Sequence, residues 1–168
     1  MTALSMYQVS VPVFLRGLNA LLVELEKGAA FAEERGFKPE ALPSTRLYPD
    51  MLTLAGQVQR ASDTSKASGE RLSGTPAPKF EDTETTIPEL VARTRNTIAY
   101  LESLDPASFV GSEAKAITVR TTTFTGGDRY LLDFALPNFF FHVATAHALL
   151  RHTGVAVGKL DYLGPIPA

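Results

Sequence analysis

The chain contains no cysteine, which excludes disulfides, thiolate metal ligands and cysteine nucleophiles. It has no long basic run and a net charge of only −2, so no nucleic-acid partner is expected. Uninterrupted apolar runs stop well short of the roughly 18 to 20 residues that a membrane-spanning helix needs. The N-terminal stretch MTALSMYQVSVPVFLRGLNALLVELEKG has no positive charge before its apolar part, and Arg16, Asn19 and Glu24 interrupt its leucines. It reads as an amphipathic helix rather than a signal peptide; no membrane association is expected, and the cytoplasm is the expected location. A GxSxG nucleophile elbow and a phosphate-loop glycine spacing are both missing, as are internal repeats and low-complexity tracts.

What is present suits one core. With 168 residues, 45% hydrophobic and 20% charged, the chain is long enough for a single domain spanning residues 1–168. Tyr7, Val11, Phe14, Leu18, Leu22, Leu25 and Ala29 recur at steps of three and four. They predict a first helix from about Ser5 to about Glu34, with Pro12 kinking or restarting it and Gly36 stopping it. The Glu33-Glu34 pair at its end reads as solvent-exposed. A stiff connector with three prolines covers 36–49, and a second helix is expected to start near Asp50 as N-terminal cap and to end at SGTPAP, 73–78.

Thr86-Ile87-Pro88-Glu89 has capping-box spacing and opens a third helix, which Asp105-Pro106 closes. Residues 116–132 change character. AITVRTTTF alternates and is rich in β-branched side chains, which predicts a strand; TGGD reads as a turn and RYLLDF as a return strand. A fourth helix is expected from Pro137 to just before Gly154, with Arg151 and His152 complementing its carbonyl end. The tail, 155–168, reads as irregular, docked by Val155, Val157, Leu160, Tyr162 and Leu163. The expected fold class is mainly α: a four-helix bundle with a long connection, holding a short β-hairpin, before the last helix.

Polar residues inside the apolar segments mark a candidate site. Asn138 and His142 are four apart and share one side of the fourth helix; Asp50 and Gln57 are seven apart and share a face of the second. Should both faces look inward, four polar side chains meet in an apolar interior, where an unpaired group costs about 1–3 kcal/mol. Three readings stay open: a closed hydrogen-bond network that fixes helix register, a small-molecule pocket, or a metal site. His147, five residues past His142, points away from it and borders another helix or the surface. Phe139-Phe140-Phe141 spreads too far around the helix for one core, so either the helix is central or one phenylalanine lies in a subunit interface, the reading favoured here. Arg46 pairs with Asp50 or with a tail carboxylate such as Asp161. Lys159 and Asp161 otherwise read as surface charges.

RLYPDM (46–51), QVQ (57–59), LPNFFFH (136–142), LLRHTGV (149–155) and GKLDYLG (158–164), in that order, resemble a domain-of-unknown-function family of the DinB/YfiT-like clan. The resemblance covers essentially the whole chain. It implies the DinB-like four-helix bundle and a homodimer. Clan members with known activity hold a divalent metal, such as zinc or nickel, through three histidines, and some are metal-dependent transferases acting with low-molecular-weight thiols. Carried over by position, those ligands fall on Gln57, Asn138 and His142. One histidine is kept and two are replaced by amides, which are weak ligands for such ions. The resemblance thus implies either a small-ligand pocket at Asp50, Gln57, Asn138 and His142, a degenerate metal-dependent thiol transferase or hydrolase, or a structural protein without a ligand.

Overall fold

The computed structural model describes residues 4–165. Helix α1 (Met6–Arg35) opens on a capping box between Ser5 and Gln8 and ends at Gly36, whose φ of 65° completes a left-handed cap. It runs through Pro12 without a restart. Pro12 and Gln8 both face solvent, so the carbonyl that loses its amide partner is left to water. By length and composition α1 could cross a bilayer. In this fold Val11, Phe14, Leu18, Leu21 and Leu25 are instead buried among the other helices.

The connector that follows is a folded segment. Leu42 and Pro43 are buried, the Leu54 amide donates to the Thr45 carbonyl, and Tyr48–Met51 forms a turn. Helix α2 (Leu54–Ser73) therefore starts later than expected, and its cap is Thr53, whose hydroxyl accepts from the Gly56 amide. Asp50 is exposed in the preceding turn and caps nothing. Helix α3 (Ile87–Glu102) begins with the Thr86–Glu89 capping box read from the sequence. The Arg93 side chain on α3 is 1% exposed and gathers Asp63, Asp82 and Glu84, which ties the 75–86 segment to both helices.

Two short 3-10 turns lead to an antiparallel hairpin of β1 (Ile117–Val119) and β2 (Thr122–Phe124), in register Val119↔Thr122. The expected single strand thus holds both strands, and Arg120-Thr121 forms the tip. The expected return strand is helical: α4 (Gly127–Tyr130) passes through a π-turn (Leu131–Ala135) into α5 (Leu136–His152). Tyr130, Leu131 and Ala135 are buried on one face, a helical period that outweighs the strand propensity of RYLLDF. Pro137 has no amide to return to Asp133, and the wider turn just before it absorbs that break.

The bundle order is α1–α3–α2–α5, closed by α5 packing on α1. A short α6 (Lys159–Leu163) lies on α1. The tail is therefore helical in part. Val155 and Val157 are buried, but Leu160 is largely exposed and does not anchor it. Residues 166–168, also expected in the docked tail, lie outside the described residues.

Candidate functional site

Two helix stripes and the hairpin line one open-sided cavity of about 620 Å3. On α2, Arg60, Thr64, Ala67 and Arg71 follow Gln57 at steps of three and four and form one wall. The facing wall is Tyr130, Phe134, Asn138 and His142, each four residues after the last. In a regular helix three such steps drift by about 120° around the axis. The π-turn at 131–135 takes up that drift, so all four side chains line one space. The hairpin roofs the cavity with Val119, Arg120 and Phe124.

Where α2 and α5 meet beside the cavity, Nδ1 of His142 lies 2.7 Å from Oε1 of Gln57. The Gln57 amide is oriented by its other atom: Nε2 donates to the Leu52 carbonyl at 3.2 Å. Oε1 can only accept, so His142 carries its proton on Nδ1 and Nε2 is left as an acceptor. That nitrogen has no hydrogen bond among the described residues, and it is not among the atoms closed off from solvent. Burial, and secondly the Arg60 charge, hold the imidazole below its ordinary range and favour the neutral ring. One turn away, Asn138 Nδ2 donates to Thr64 Oγ1 at 2.7 Å.

The structure thus brings together Gln57, Asn138 and His142. Gln57 stands behind His142 rather than in the cavity wall, and exposed Asp50 does not line the cavity. Arg46 donates to the Pro49 carbonyl at 3.2 Å, pairing with neither Asp50 nor Asp161. Asp161 sits instead 2.6 Å from Lys27. Among the described residues no three of His, Asp and Glu form a metal-ligand group. Gln57 Oε1 is engaged by the imidazole and Asn138 Nδ2 by Thr64. These residues do not fit the three-imidazole set that the resemblance implies for a divalent metal.

Sequence reasoning missed the cationic wall. Arg60 pairs with Asp63 at 2.8 Å and also with Asp82. Arg71 Nη1 donates to the Tyr130 hydroxyl at 3.1 Å, and that hydroxyl also meets Ser68 at 2.9 Å. The signal was available in the 3–4 spacing of Arg60, Thr64, Ala67 and Arg71 after Gln57. A second buried pair also escaped notice. Glu24 on α1 is fully buried, with Oε1 2.6 Å from His147 Nδ1 and Oε2 without a partner among the described residues. The Tyr162 ring meets that imidazole edge-on.

The model of a family described as "Domain of unknown function (DUF1993)" matches residues 6–163. A solved structure of a DinB family member protein from Shewanella denitrificans superimposes with a TM-score of 0.91 at 38% identity, covering 97% of this chain and 94% of that one. No curated protein matches the chain.

Proposed function

The chain belongs to the DUF1993 family and has a DinB-like helical fold, and from that premise we propose that it binds a small molecule in the cavity between α2, the hairpin and α5. The observation that carries this reading is His142. Its tautomer is set by Gln57, its charge is suppressed by burial, and its open Nε2 lies in a space large enough for a ligand. A ligand hydroxyl or N–H would donate to that nitrogen, and Asn138, held by Thr64, would complete the polar end. The same reading includes a homodimer that uses the outer face of α5, where Phe141 is 56% exposed.

Untagged protein analysed by native mass spectrometry is expected to carry, or to accept, a small molecule at one per chain, and His142→Phe is expected to lose it. Metal analysis separates this from the metal-dependent reading. Less than about one-tenth equivalent of metal, with no rise in melting temperature on adding zinc or nickel, is the expected result. Stoichiometric metal that disappears in His142→Phe would return the site to the metal-dependent transferase or hydrolase reading. A cavity that takes up neither would leave a structural role.

A further inference from the structure

The cavity lining is charged as well as polar: Arg60, Asp63, Arg71 and Arg120 all belong to it. Arg60 is compensated by Asp63 and Asp82. Arg71 and Arg120 have no carboxylate partner among the described residues, and both line the cavity. Arg71 is held in place by its bond to the Tyr130 hydroxyl and lies over the Tyr130 ring, 5.6 Å from its centroid. Arg120 has φ 54°, the one positive φ of a non-glycine residue among those described. Glycine or asparagine would take that left-handed backbone with less strain. An arginine there is a local cost at the hairpin tip, and strain of this kind collects at ligand clamps. The same lining also offers apolar surface, with Val119, Phe124 and Phe134.

We infer that the ligand is a small organic acid, its carboxylate held by Arg71 and Arg120, its apolar body against Phe124 and Phe134, and a donor group at its far end bonded to His142 Nε2. This rests on the small-molecule reading above. Two guanidinium groups match a planar carboxylate, and charge-assisted bonds of this type are shorter and stronger than neutral ones. A neutral imidazole in the same lining selects a donor, not a second anion.

The test uses isosteric trios built on a phenol body, with chains of different length ending in a carboxylate, a primary amide or an amine. Binding to the full 15N-labelled chain is followed by NMR at the His142 and Asn138 resonances. The carboxylate of at least one trio is expected to bind about tenfold or more tighter than its amide, with the amine weakest. That preference is expected to fall with added salt. Arg71→Gln and Arg120→Asn should each bring acid and amide closer together. Asparagine is chosen at 120 because it tolerates the same backbone, and melting temperature checks that both variants fold. Equal binding of acid and amide at His142, or a preference that neither variant changes, would overturn the organic-acid assignment and leave the pocket standing. If no member of any trio perturbs His142 or Asn138, the pocket reading falls and this assignment falls with it.

Discussion

His142 and Glu24 are both buried titratable groups, and burial moves them in opposite senses on the pH scale. Burial and the Arg60 charge lower the His142 value below 6.5, so the unfolded chain binds a proton here before the folded one does. The stability this group contributes is therefore complete above the unfolded value and is lost as pH falls through the folded one. Its 15N resonances should keep the Nδ1–H tautomer and titrate below 6.5. Arg60→Gln should move the midpoint only part of the way back, because burial is the larger cause. A midpoint at or above the ordinary histidine value would contradict the burial argument, and an Nε2–H signal in the neutral form would contradict the tautomer. For Glu24, burial raises the carboxyl above 4.5, against the bond and charge of His147. The folded chain then holds a proton that the unfolded chain releases, so this contribution is present below 4.5 and fades as pH rises through the folded value. Glu24→Gln keeps an oxygen for the His147 N–H and removes the charge. Urea unfolding from about pH 4 to about pH 8 should show the variant gaining on the parent chain as pH rises. A constant difference across that range would mean that Glu24 does not titrate as argued.

At the scale of elements, α1 and α5 approach closely because Gly17 makes room for Phe139. A methyl at Gly17 would lie 2.5 Å from Cε1 of that ring. Phe139 is fully buried and edge-on to Phe14, so it has little room to retreat. Gly17→Ala should cost about 1–3 kcal/mol, read as a fall in melting temperature of about 2–4 °C per kcal/mol for a chain of this size. No loss would show that the helices slide apart freely there. The helices themselves were legible in the sequence, since α1 and α3 declare themselves through periodicity and caps that act locally. The 116–135 region was misread because its cues conflict. β-Branched residues favour strand, and TGGD favours a turn, yet Gly127 is the start of a helix: a methyl there would run into the Ser112 carbonyl, a contact that no local pattern reveals. Asn138 and His142 were found because i, i+4 spacing survives folding; Gln57 came from the family resemblance, and its shared face with Asp50 did not survive because α2 begins at Leu54. Arg71 was passed over although its spacing after Gln57 was legible, and Arg120 was not legible because only the hairpin brings it to the cavity. Asp50 failed as a cap because the Leu54–Thr45 backbone bond extends the connector past it.

For the whole molecule, α5 is the helix that both polar centres share: His142 reaches α2 while His147 reaches α1. Its aromatic run is divided by the same geometry. Phe139 is buried against Phe14, Phe140 is half-buried beside Gly17, and Phe141 is left 56% exposed next to His142. The proposed homodimer would cover Phe141, the exposed aromatic on the outer face of this helix. Light scattering after gel filtration is expected to find a dimer for the parent chain. Phe141→Ser should move that equilibrium toward monomer at micromolar concentration while changing monomer stability by less than about 0.5 kcal/mol, as for other surface sites. A variant that unfolds would instead mean that Phe141 supports the fold itself. A variant that stays dimeric would place the contact elsewhere on the bundle. Because Phe141 adjoins His142, dissociation is also expected to alter the His142 resonances, linking assembly to the cavity; unchanged resonances would separate the two.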